Sequence, residues 1–155
     1  MPLILWTDHM SVGVKLLDND HKKLVLLVNN LSDGVVAGQA RQELESNFGK
    51  LVEFTRLHFS NEERLLEETG YSGTAAHRQE HNRLLDQLME LQARFLSGAE
   101  EAKDQDVMNR LRAWLFKHTQ GADQDFVSHL KARRVDSNLA AWDEPNHVAL
   151  EKPAI

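Results

Sequence analysis

An antiparallel up-down-up-down four-helix bundle is the fold class the sequence predicts, and two observations predict it. Four long segments carry apolar residues at spacings of three and four. Short glycine- or serine-bearing breaks part them, and short connections between long helices make sequence neighbours antiparallel. No segment shows a credible strand pattern. The bundle is expected within residues 1–135 and a C-terminal tail over 136–155.

The elements follow in order. The first dozen or so residues read as an extended arm that Trp6 can anchor. A first helix is expected over about Leu17 to Ala37, with His21, Leu24, Val28 and Leu31 on one face and Gly38 as its stop. A second covers about Ala40 to Glu68, where Leu44, Phe48, Leu51, Thr55, His58, Glu62 and Leu65 share a stripe. The turn Gly70-Tyr-Ser-Gly73 leads to a third, about Gly73 to Leu96, aligning His77, His81, Leu84, Leu88, Leu91 and Phe95. After Ser97-Gly98 a fourth begins near Glu101, carries Val107, Leu111, Trp114 and His118, and can resume after Gly121 as far as Arg134. Lys131-Ala-Arg-Arg134 then reads as a helix C-terminus whose cations complement the dipole. The tail holds Pro145 and Pro153; it is either loosely ordered or docked through Trp142.

Composition narrows the function. At 155 residues, 41% hydrophobic and 27% charged, the chain suits one soluble domain with a real core. A net charge of -6 disfavours nucleic acid, which needs clustered Lys and Arg. With no cysteine, disulfides, thiol nucleophiles and cysteine-held clusters are excluded. Neither a signal peptide nor a membrane span is legible, so a cytoplasmic protein is expected.

The chemistry lies in an ordered series: His21, then His58 with Glu62, then His77 with His81, then His118 with Asp123. Imidazole with carboxylate and no thiol suits iron, zinc, copper or nickel. Residues four apart stack on one helix face, so His58 with Glu62, and His77 with His81, can each reach one metal site. One buried histidine is usually a structural residue satisfied by a hydrogen bond. Five of them on four helices are costly to bury without a metal, at a few kcal/mol each. His118 and Asp123 differ, because five residues put them about 140° apart on an ideal helix. A local irregularity at about Thr119 to Asp123, permitted by Gly121, is expected to bring them together. From that pair alone, a surface Asp beyond a helix end is the better reading.

Seven groups are too many for one ion. Two six-coordinate metals offer about twelve positions. Five imidazoles, two bridging carboxylates and a shared oxo or hydroxo group fill about eleven. The vacancy falls on the metal with two histidines, where a small diatomic ligand would bind.

The chain here resembles the hemerythrin family, specifically single-domain bacterial hemerythrins, over about Trp6 to Phe126. The resemblance rests on Ser11-Val-Gly-Val14, Leu17-Asp-Asn-Asp-His21, His58-Phe-Ser-Asn-Glu62 with Glu63 following, His77-x-x-x-His81 and Trp114-Leu-x-x-His118-x-x-x-x-Asp123. A single HxxxE or HxxxH is weak; the ordered series is specific. The resemblance implies that His77, His81 and His118 bind one iron, His21 and His58 the other, and that Glu62 and Asp123 bridge them. It implies O2 bound end-on at the iron of His21 and His58, in a dry pocket of Leu24, Phe59, Trp114 and Leu115. Taken alone those four are ordinary core residues. Thr119 departs from the isoleucine common in the family. A hydroxyl beside bound O2 would favour autoxidation, unless it bonds back to the carbonyl one turn earlier, as Thr often does.

The function expected is reversible O2 binding by a di-iron protein, not an enzyme, for storage or delivery to an oxygen-using partner. An O2 or redox sensor, and a reductase of peroxide or nitric oxide, are the alternatives; a monomer is expected. His9, His129 and His147 read as surface or tail residues. Glu144 and His147 match a ferritin-like Glu-x-x-His element, but no second copy exists and Pro145 interrupts it.

Overall fold

The computed structural model describes residues 2–97, 101–120 and 126–133. A 3-10 turn, Asp8–Met10, precedes α1 (Lys15–Val36), α2 (Arg41–Glu68), α3 (Thr74–Leu96), α4 (Glu101–Gln120) and a short α5 (Val127–Ala132). The four long helices lie within about two residues of the expected bounds. No strand occurs among the described residues. Each long helix packs on its sequence neighbours, and α1 closes the ring on α4. That is the adjacency of an up-down-up-down bundle. No helix among the described residues is long and apolar enough to cross a membrane.

Glycine ends two of the helices for a backbone reason. Gly38 and Gly70 have φ of 69° and 75°, in the left-handed region. Beyond α1, Gln39 N–H donates to the Gly34 carbonyl at 3.0 Å and Gly38 N–H to Val35 at 3.2 Å. Beyond α2, Tyr71 N–H donates to Leu66 at 2.9 Å and Gly70 N–H to Glu67 at 3.1 Å. Both are Schellman closures, which satisfy the last carbonyls and reverse the chain.

Two apolar clusters result. The larger joins Leu24, Val28 and Leu31 of α1 to Phe48 and Leu51 of α2, Leu84, Leu88 and Phe95 of α3, and Val107, Met108 and Leu111 of α4. Phe48 and Phe95 meet in it with ring centroids 5.3 Å apart. The smaller gathers Val12, Val14, Leu16, Leu17, Leu65, Leu66, Phe126 and Leu130, with Tyr71 and Val127 against it. On α1 and α2 the series histidine falls between residues of the two clusters, and on α4 His118 follows Leu111, Trp114 and Leu115 of the larger one. The polar layer is thus closed by apolar packing at both ends.

The N-terminal arm is anchored more firmly than expected, and it is not extended throughout. Trp6 is half-buried, with the Lys22 ammonium 5.3 Å from its ring. The main anchors are Ile4 and Met10, both buried. Asn29 accepts from the Ile4 N–H and donates to the Ile4 carbonyl, each at 2.8 Å, as a strand neighbour would. The Asp18 carboxylate accepts from the Ser11 hydroxyl at 2.5 Å and the Val12 N–H at 2.8 Å, holding the turn into α1.

The stretch expected to resume after Gly121 does so as α5, with His129 and Lys131 in its last turn. Arg134, the tail with Trp142, and Glu144 and His147 lie outside the described residues.

Candidate metal centre

All five series histidines and Glu62 are buried in one layer across α1 to α4. His21, Leu24, Val28 and Leu31 of α1 are all buried, which puts the imidazole on the stripe that packs inward. The same holds on α2 for His58 and Glu62 between Thr55 and Leu65, and on α3 for His77 and His81 before Leu84. On α4, His118 follows Leu111, Trp114 and Leu115 into the interior.

Glu62 stands at the centre. Its Oε1 lies 2.6 Å from His77 Nε2 and 2.9 Å from His81 Nε2. Its Oε2 faces the other way, 3.3 Å from His58 Nε2 and 3.9 Å from His21 Nε2. One carboxylate therefore presents a separate oxygen to each of two histidine pairs. Two donor sets sharing Glu62 result: His21, His58, Glu62 and His118, and Glu62, His77 and His81, the atoms of each within 4.8 Å of one another.

This geometry suits a metal ion. An ion with ligands at about 2.1 Å holds adjacent donors about 3.0 Å apart and opposite donors about 4.2 Å apart. His58 Nε2 and His118 Nε2 are 3.0 Å apart. Two neutral imidazole nitrogens facing each other need a proton between them, whereas a cation lets both act as ligands. The resemblance divides the histidines so that His118 joins His77 and His81. The side chains bring it nearer to His58, with its ring 5.5 Å from that of His81. His118 thus sits at the seam of the two halves. Asp123, the other expected carboxylate, lies outside the described residues. The expected irregularity does too, except that Thr119 and Gln120 continue α4 as helix.

The expected pocket residues are all interior. Leu24, Phe59, Trp114 and Leu115 belong to the larger apolar cluster. Phe59 lies flat on His81 at 3.9 Å between centroids and reaches His118 at 4.9 Å. The Trp114 indole N–H donates to the Leu84 carbonyl at 2.8 Å, so the indole is fixed from α3. Thr119 is fully buried and its hydroxyl donates to the Leu115 carbonyl at 3.1 Å. Of the two readings of this residue, the bond back along the helix is the one formed.

Two acidic residues to which the sequence reading attached no role also belong here. His58 Nδ1 lies 2.8 Å from Asp20 Oδ2, and His81 Nδ1 lies 2.7 Å from Glu63 Oε2. Asp20 could have been found, since Leu16, Leu17 and Leu24 at spacings of three and four put it on the buried stripe of α1. Glu63 carried no such signal; one residue from Glu62 is about 100° around the helix. Burial works against charge on His81, but its contacts with Glu62 and Glu63 outweigh that and raise its pKa. Burial likewise pushes Glu63 up, and His81 and Arg78 together hold it below the usual carboxylate range. Phe54, stacked 6.4 Å from His58, and Phe126, 5.0 Å from His77, were also not anticipated as neighbours. His129, expected on the surface, is half-buried and bonded to the Thr69 hydroxyl at 2.9 Å.

The family model described as hemerythrin HHE cation binding domain matches residues 12–130. A bacteriohemerythrin of Stenotrophomonas maltophilia is 32% identical over 132 residues, 85% of this chain and 84% of its own. One from Methylococcus capsulatus is 32% identical over 133 residues, 85% of this chain and 100% of its own. A crystal structure of wild-type hemerythrin is similar with a TM-score of 0.72 at 31% identity, covering 83% of this chain and 98% of that one.

Proposed function

The chain belongs to the hemerythrin family, and from that premise we propose that it is a non-haem di-iron protein that binds O2 reversibly, to store it or to deliver it to oxygen-using enzymes. The observation that carries this reading is Glu62, with Oε1 toward His77 and His81 and Oε2 toward His58 and His21. A carboxylate so placed supports two ions side by side rather than one. His21, His58, Glu62, His77, His81 and His118 would hold them, joined by Asp123. The iron supplies the redox chemistry by which O2 is taken up and released.

The protein's own residues favour reversibility over turnover. Leu24, Phe59, Trp114 and Leu115 are buried in the larger apolar cluster and would give a bound ligand apolar surroundings. The Trp114 N–H is engaged by Leu84, and the Thr119 hydroxyl proton by Leu115. Neither of these two therefore has its proton directed at a bound ligand, and a reductase needs a positioned proton donor. The visible spectrum of iron-loaded protein, recorded deoxygenated, in air and deoxygenated again, tests this. A spectrum that changes in air and returns when O2 is removed is expected. A change that does not return, with steady consumption of peroxide or nitric oxide under a reductant, would mark an enzyme instead.

A further inference from the structure

Two of the buried histidines are gripped from behind by a carboxylate, one in each half of the cluster. His58 offers Nδ1 to Asp20 at 2.8 Å while its Nε2 faces Glu62 at 3.3 Å. His81 offers Nδ1 to Glu63 at 2.7 Å while its Nε2 faces Glu62 at 2.9 Å. An ionised carboxylate only accepts, so Nδ1 must carry the hydrogen. A neutral ring then has its lone pair on Nε2, aimed into the cluster. We propose that Asp20 and Glu63 are positioning residues, one for each metal, that fix the tautomer of a ligand histidine and strengthen its donation to iron. The inference rests on the di-iron reading above; neither carboxylate faces the interior of the donor set itself.

The two carboxylates differ in strength. Asp20 is buried within the bundle, where a charge acts through a low dielectric. Glu63 lines an open groove between α2 and α3, together with Arg78, Ser60 and Asn82. Arg78 donates to it at 3.0 Å and spreads its charge outward to Glu67 at 3.3 Å. The half served by Asp20 therefore receives the stronger push. Loss of an outer carboxylate commonly costs about 10- to 100-fold in metal affinity; Asp20 belongs at the upper end and Glu63 at the lower.

The test compares wild type, Asp20→Asn and Glu63→Gln by Co2+ titration against a chelator and by the midpoint potential of the iron-loaded proteins. The amides still accept from Nδ1, so folding is preserved while the charge is removed; far-ultraviolet circular dichroism verifies it. Each variant is expected to weaken one of two Co2+ affinities, toward 100-fold for Asp20→Asn and about 10-fold for Glu63→Gln. Both potentials should move upward, because a weaker donor favours the ferrous ion. Two unchanged affinities and an unchanged potential, with equal loss of stability in the apo and loaded forms, would overturn the inference and leave the di-iron reading standing. Wild-type protein that takes up no pair of ions would overturn both.

Discussion

At the scale of single residues the account turns on Glu62. It is the one described side chain common to both donor sets. Glu62→Ala should weaken both metal affinities by at least about 10-fold, whereas His77→Ala should weaken one and spare the other. Equal effects of the two substitutions in a metal titration would mean that the halves are not separate. Thr119 gives a second residue-scale prediction. Its hydroxyl is committed to the Leu115 carbonyl, so Thr119→Ile should alter the autoxidation rate by less than about twofold. A markedly slower rate on substitution would show that the hydroxyl reaches the bound ligand after all.

At the scale of elements, helix ends and the arm hold the layer of ligands in register. Gly70 has φ of 75° and closes α2 a short way beyond Glu62. Gly70→Ala should cost about 1 kcal/mol in denaturant unfolding, because a Cβ is disfavoured in that conformation. No loss of stability would mean that the turn relaxes freely. Asn29→Ala removes both bonds to Ile4 and should cost about 1–2 kcal/mol. Proteolysis should then begin within the arm; unchanged resistance would show that Ile4 and Met10 hold it unaided. These elements also show what was legible beforehand. The four helices were readable because each repeats apolar residues over many turns and because Gly38 and Gly70 punctuate them. The arm was not, since it is too short for a repeat to show and is broken by the turn at Asp8–Met10, and Asn29 acts on a segment 25 residues away.

At the scale of the whole molecule, the fold stacks a polar layer between two apolar clusters, and in it Asp20 meets His58 and Glu63 meets His81 from a neighbouring helix. His21 and His58 come from α1 and α2, and His77, His81 and His118 from α3 and α4. The buried histidines and Glu62 were legible in the sequence because they lie on inward stripes at spacings of three and four, whereas spacing did not single out Asp123, which lies outside the described residues. Which nitrogen faces which oxygen was not legible, because that depends on how the helices are rotated about one another. The same limit hid Glu63, which contacts His81 from the next helix, and left the place of His118 to be decided by packing. Because apolar packing closes the layer at both ends, loaded protein should also unfold at a higher temperature than protein stripped by a chelator, through binding to the native state alone.

The most direct measurement is the iron content of protein reconstituted under anaerobic conditions, freed of unbound metal and referred to chain concentration. The arrangement around Glu62 predicts about two irons per chain. A value near one, or none, would contradict it.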